Sequence, residues 1–278
     1  MTPPPTKHAL IVGASSGIGL ALALQVAPLV AKLTLCSRSN PEDLVATIQA
    51  KNPHVEVVYE RLDLSLLHEV RKFTTRHADT SFDWIVITAG ILSLNGRTET
   101  SEGLDVKMST HYYGRFMLVH DMLESLNRPG VRVLNVLAAG RGRAPNLDDL
   151  DLKRSYSIRR CADATTLYSD LMAQALAEHA PQASFMHIYP GFVNTGIFDR
   201  FPWYVRLPSK VLAAVAAHSP EQCAQYLSAT LTKPEFATGW RLLGERGEVL
   251  PKTRYHTDDL KNVVWEHTLH TIDHVMEM

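Results

Sequence analysis

The stretch His8 to Gly19, HALIVGASSGIG, decides the fold. Its first five residues read as a buried strand, its glycines as a loop, and the apolar run after Gly17 as the start of a helix. In that context Gly13 allows a tight turn, Gly17 lets backbone N–H groups approach a pyrophosphate, and Gly19 permits close packing of helix on strand. The positive end of the helix favours an anion, so Gly13, Ser15, Ser16, Gly17, Ile18 and Gly19 form a candidate phosphate cradle. A glycine turn that holds no ligand is the alternative.

Outward from this stretch, short β-branched runs alternate with longer amphipathic ones, the pattern of βαβ units around a buried parallel sheet. Strands are predicted at His8–Val12, Leu33–Ser37, Val55–Tyr59, Trp84–Thr88, Val131–Val136, Ser184–Ile188 and Gly239–Leu243. Helices are predicted at Gly17–Val30, Pro41–Ala50, Ser65–His77, Ser101–Asn127, a long stretch ending near Ala180, Pro220–Leu231 and Thr257–Val275. With no repeat or Pro/Gly/Ser linker, this is one α/β domain over residues 1–278, a Rossmann-type doubly wound parallel sheet. Two segments break the rhythm. The polar Arg141–Arg154 is an insertion at the carboxyl edge of the sheet, and Phe192–His218, with Phe201, Trp203 and Tyr204, reads as a substrate lid whose aromatics form a pocket wall or touch a membrane.

Composition limits the partners. The 278 residues are 45% hydrophobic and 21% charged, and 28 basic against 29 acidic side chains leave a net charge of −1. No global field draws nucleic acid or anionic membrane, so the expected partner is a small molecule. Cys36, Cys161 and Cys223 lack CxxC spacing, which argues against disulfides or zinc and fits a reducing, cytoplasmic setting. The prolines at positions 3–5 do not suit a signal peptide, and Gln25, Pro28 and Lys32 interrupt the most apolar stretch, so no membrane span is expected. His267, His270 and His274 recur on one helix face, but no carboxylate or cysteine joins them in a recognised motif and no metal is expected.

The GxxxGIG spacing, Asp63 after the third strand, Ile87-Thr-Ala-Gly90 after the fourth and Pro190-Gly-Phe-Val-Asn-Thr195 after the sixth resemble the short-chain dehydrogenase/reductase family. Trp265 and the Gly239–Leu243 strand are similar to its retinol-dehydrogenase-like and fungal members. The resemblance implies that Asp63 holds the adenine amino group, that Ala89 and Gly90 line the adenosine ribose, that Thr195 holds the nicotinamide amide, and that Pro190 and Gly191 also belong to the cofactor site. It also implies a frequent homo-oligomer. The second strand ends in Ser37-Arg38 without an acidic residue, so a 2′-phosphate meets a guanidinium instead of a carboxylate and NADP(H) is the expected cofactor. A solvated surface arginine is the alternative.

The family's catalytic set is a serine, a YxxxK pair and an asparagine. Here Ala138 stands at the serine position and His111 at the asparagine position. Tyr156-Ser-Ile-Arg-Arg160 is a YxxxR, but Pro190 follows Tyr156 by 34 residues, longer than the family norm, and an ungapped count from Pro190 reaches Arg160. Tyr156 therefore reads either as the proton donor, with Arg160 one helical turn on, or as a packing residue at the start of a helix. His111 is either a proton carrier or a hydrogen-bonded core residue. The expected function is hydride transfer between NADPH and a carbonyl or secondary alcohol of an apolar molecule. A nucleotide-binding regulatory protein and a non-redox cyclase or isomerase remain alternatives.

Overall fold

The computed structural model describes residues 5–41, 43–195 and 217–278. Seven parallel strands run β1 His8–Val12, β2 Lys32–Ser37, β3 Glu56–Arg61, β4 Trp84–Ile87, β5 Arg132–Val136, β6 Ser184–Ile188 and β7 Gly239–Leu243. Their spatial order is β3-β2-β1-β4-β5-β6-β7. The order reverses between β1 and β4, and an open α/β sheet leaves a crevice at the carboxyl ends of such a pair.

Strand side chains alternate between two cores. Leu10 and Val12 of β1 pack into one, beneath the helices on that face, and Ala9 and Ile11 into the other. Ile85 and Ile87 of β4 are divided in the same way from Trp84 and Val86. Burial on both faces removes the polar side of the pattern and explains the apolar runs in the sequence.

The helices are α1 Gly17–Val26, α2 Leu44–Lys51, α3 Leu67–Arg76, α4, α5 Ile158–His179, α6 Pro220–Thr230 and α7 Asp258–Met276. Helix α4 starts as Val106–Met108, widens through a π-helical turn, Ser109–Tyr113, and continues as Gly114–Asp121. Local chemistry moves several ends from their predicted places. Pro28 turns the tail of α1 into the 3₁₀ turn Ala27–Leu29. Helix α4 begins at Val106 because Asp105 caps it, its carboxylate accepting the Lys107 and Met108 N–H groups. Helix α5 begins at Ile158, capped by the Ser157 hydroxyl, which accepts the Arg160 N–H.

The insertion 141–154 is polar in sequence but anchored: Leu150 and Leu152 are buried, and Asp149 accepts the N–H groups of Arg154 and Ser155. Of the expected lid, residues 196–216 lie outside the described residues, Phe201, Trp203 and Tyr204 among them. Its two ends lie side by side, since the His218 N–H donates to the Phe192 carbonyl and the Asn194 N–H to the His218 carbonyl.

Gly114 lets α4 meet the chain after β3. A Cβ there would strike the Leu64 carbonyl oxygen, whereas a Cβ on Gly96 meets nothing within 4 Å. Gly114→Ala is expected to cost about 3 kcal/mol, and Gly96→Ala less than about 0.5 kcal/mol, in urea unfolding. Equal losses would show that the approach of Gly114 to Leu64 does not constrain the fold.

Candidate cofactor cleft and catalytic positions

The cleft is built from backbone. At the end of β1, Gly13 has φ +101° and its N–H donates to the Cys36 carbonyl at 2.7 Å, with Ala14 N–H donating to the same oxygen at 3.1 Å. A Cβ on Gly13 would collide with the Ala89 backbone, and one on Gly19 would land on the Gly13 carbonyl oxygen. The Thr88 hydroxyl donates to the Val12 carbonyl at 3.1 Å and ties the end of β4 to the loop. Gly17, at φ +55°, faces Thr195. Ser16, the N-cap of α1, makes no side-chain cap bond, so the first-turn N–H groups remain open to the cleft.

This cleft has a volume of ≈ 360 Å³ and brings together Gly13, Ser15, Ser16, Gly17, Ile18, Gly19, Arg38, Asp63, Ala89, Gly90 and Thr195 from five separate segments. Pro190 and Gly191 are not part of its lining. The Pro190 carbonyl accepts from Cys223 Sγ, and a Cβ on Gly191 would meet Glu245. Asp63 holds the chain after β3 by accepting the Ser65 N–H at 2.9 Å and the Ser65 hydroxyl at 2.7 Å. Ser37 is buried and its hydroxyl donates to the Ser39 carbonyl at 2.8 Å, which shapes the turn that leaves Arg38 exposed. An uncapped helix N-terminus, a cradle that any Cβ would fill, and an exposed guanidinium at one end suit a dinucleotide.

The π-helical turn carries His111, whose Nε2 accepts the Ile91 N–H at 3.0 Å. Burial pushes this imidazole down to about 3, and the nearby charges of Arg115 and Lys107 add to the shift. The ring is therefore neutral, with its proton on Nδ1, and it holds the Ile91 end of the cleft. Tyr112 and Tyr113 are core residues: their hydroxyls meet Thr268 Oγ1 at 2.7 Å and His267 Nε2 at 3.0 Å.

Tyr156 and Arg160 are not placed as the shared helix face required. Tyr156 precedes the Ser157 cap and is not on α5 at all, while Arg160 is exposed and donates to the Ser155 carbonyl at 2.9 Å. Neither lines the cofactor cleft. The Tyr156 hydroxyl is buried beside the Cys161 thiol, the Lys107 ammonium sits 5.4 Å from its ring centroid, and burial, with Cys161 and Asp105 nearby, pushes its pKa above the usual phenol range. The insertion re-enters α5 only at Ser157, and this excludes Tyr156 from the helical register.

Two polar ties escaped the sequence reading. Arg115 is fully buried and donates to the Ala89 carbonyl at 2.5 Å, Asn135 Oδ1 at 2.5 Å and the Val136 carbonyl at 2.9 Å. An isolated charge before the apolar run Phe116–Val119 was its sequence signal. Buried Asp170 accepts from His187 Nδ1 at 2.6 Å, His256 Nε2 at 3.2 Å and the Gly140 N–H at 3.2 Å. Burial would raise its pKa, but the two imidazoles outweigh burial and keep it below the usual carboxylate range.

Residues 7–202 match the short chain dehydrogenase family, and the chain belongs to it. It is 27% identical to Oxidoreductase AN1596 of Emericella nidulans, an alignment covering 97% of this chain and 93% of that protein. It is 25% identical to the polyprenol dehydrogenase of Homo sapiens, covering 80% of this chain and 71% of that one. Among solved structures, the angucycline C-6 ketoreductase LanV with bound NADP superposes with a TM-score of 0.63 at 20% identity, covering 87% of this chain and 95% of that chain. As a member of that family, the chain is an oxidoreductase built to take a nicotinamide cofactor.

His111 links this site to pH. The fold keeps it neutral down to about 3, whereas the unfolded chain binds its proton near 6.5. The unfolded state thus holds more protons between those values, and stability is lost as pH falls from 6.5 toward 3, by up to about 1.4 kcal/mol per pH unit from this residue. His111→Asn should flatten the slope of unfolding free energy between pH 6.5 and 4. An unchanged slope would assign the dependence to other groups, such as His8, which burial lowers to about 4.

Proposed function

We propose that this chain binds NADP(H) in the cleft and exchanges hydride with a carbonyl or secondary alcohol on an apolar small molecule. The observation that carries the cofactor choice is the end of β2, where exposed Arg38 lines the cleft beside Ser37 and makes no ion pair among the described residues. A carboxylate at that place would repel a 2′-phosphate, while a guanidinium presents a fork of N–H donors to it. The open N–H groups of α1 take the pyrophosphate, Asp63 the adenine and Thr195 the nicotinamide amide. NADP(H) supplies the hydride at its nicotinamide ring.

Ile91 and Leu92 give the cleft an apolar edge, and Leu92 is 40% exposed there. An apolar substrate suits that edge, and relatives named polyprenol dehydrogenase act on a long apolar alcohol by name. Among the described residues no helix is long and apolar enough to cross a membrane. Cys36, Cys161 and Cys223 are buried free thiols, as suits a chain working in the reducing cytosol.

A second reading follows from the cleft itself. Among the described residues no tyrosine or lysine lines it, and the Thr88 and Thr110 hydroxyls already donate to backbone carbonyls. A chain that holds the cofactor without turning it over fits that lining. Nicotinamide absorbance with a panel of apolar aldehydes, ketones and alcohols separates the two, because only the oxidoreductase changes the cofactor.

Two outcomes are expected. Calorimetry on Arg38→Ala should lose about 1.5–3 kcal/mol of NADPH binding and much less of NADH binding; equal losses would remove Arg38 from the 2′-phosphate. Tyr156→Phe should leave turnover of any substrate found within about twofold, because its hydroxyl is packed away from the cleft. A hundredfold drop, on the order of what loss of a general acid causes, would return Tyr156 to the chemistry.

A further inference from the structure

A second pocket, of ≈ 370 Å³, lies between the insertion and the first turns of α5. We propose that it binds a small organic anion, a carboxylate on an apolar body, gripped by Arg143 and Arg160. Among the described residues it shares no lining residue with the cofactor cleft, so the proposal does not rest on the cofactor reading.

Around the pocket, Asp149 is paired with Arg154, Asp151 with Lys153, and Asp163, which itself lines the pocket, with Arg159. Arg143 and Arg160 make no ion pair among the described residues, and both are exposed pocket walls. Arg160 is also badly placed for a structural charge. It lies in the first turn of a 22-residue helix, whose positive end repels a cation and attracts an anion, and no acidic residue is in that turn. Its bond to the Ser155 carbonyl fixes one nitrogen and leaves the other donors of the fork for a ligand.

Ser155, in the pocket wall, is held against the Asp149 carboxylate, which takes its N–H at 2.7 Å. Leu152, in the same wall, has φ +56°, the one non-glycine residue among those described in the left-handed region. Strain of that kind persists where surrounding bonds impose it, and here Asp149 fixes the backbone at Arg154 and Ser155 just beyond it. Leu152 and Ala164 are buried apolar surface beside the arginines, with Pro145 adjoining them. A bare inorganic anion would satisfy the forks but not that surface; a carboxylate with a short hydrocarbon body satisfies both.

Calorimetry on the full chain tests this with octanoate and inorganic phosphate as probes. Octanoate is expected to bind, with phosphate at least about tenfold weaker for want of an apolar body. Arg143→Gln should weaken octanoate about tenfold, and Arg143→Gln with Arg160→Gln should abolish the heat, with NADPH affinity in both variants within about twofold of the parent. If the double variant does not fold, Arg143→Gln alone decides, because Arg143 is exposed and pairs with no charged group among the described residues. Octanoate binding that ignores these substitutions, phosphate binding as tight as octanoate, or no octanoate binding at about 10 mM would overturn the proposal.

Discussion

A guanidinium buried without a carboxylate holds the catalytic edge of this protein together. Arg115 lies at the centre of the carboxyl edge, and its acceptors are the Ala89 and Val136 carbonyls and the Asn135 amide oxygen, with Thr110 O at 3.3 Å from its Nε. Those atoms belong to the chain after β4, the end of β5 and the π-helical turn of α4. Removing a cation from water is expensive, and only a full set of well-directed acceptors offsets it. The geometry of three segments is thereby coupled, because a shift in any of them would leave the charge unmet. Gly114 makes the arrangement possible by letting α4 descend onto the Leu64 carbonyl just before Arg115 turns inward. The same cation discourages protonation of His111, so the ring stays an acceptor for the Ile91 N–H.

A carboxylate does the corresponding work on the other side of β5. Asp170 reaches from α5 to His187 on β6, to His256 before α7 and to the Gly140 N–H after β5. The Thr253 N–H donates to His256 Nδ1, which places the ring proton on Nε2, facing the carboxylate. Apolar burial holds the strands, whereas the loops at their carboxyl ends hang on two buried charges, Arg115 among neutral acceptors and Asp170 between two imidazoles and a backbone N–H. Such networks demand that every partner be in place, and they select one loop arrangement where apolar packing alone would tolerate several.

What the sequence disclosed follows from how local each constraint is. The period-two division of β1 between two cores needs only residues 8–12, and the predicted and observed strands coincide. The cradle was legible for a similar reason: Gly13, Gly17 and Gly19 answer to backbone geometry within one turn. Helix ends were less so, because Asp105 as a cap outweighs the helical pattern that begins at Ser101. Arg115 and Asp170 were not legible as ties, since their partners lie up to 86 residues away in sequence and only the fold brings them together. Tyr156 depended on the path of the insertion, which no local pattern specifies.

The cradle and the family's catalytic pair are held by different physics, and this chain separates them. The cradle is backbone: it tolerates change in almost every side chain so long as three glycines remain. The catalytic pair is side chain, carried in the family by one helix in one register, and here Tyr156 lies two residues before that helix begins. A phenol and an ammonium still meet, but the ammonium is Lys107, which donates to the Asn95 and Gly96 carbonyls and lies 3.9 Å from Asp105. Held there, it faces the ring and not the oxygen, and burial keeps the phenol protonated. The hydroxyl is buried beside the Cys161 thiol, away from the residues that line the cleft. Neither Tyr156 nor Arg160 is among the residues that line the cleft, so the backbone of the cradle does not depend on where the phenol lies.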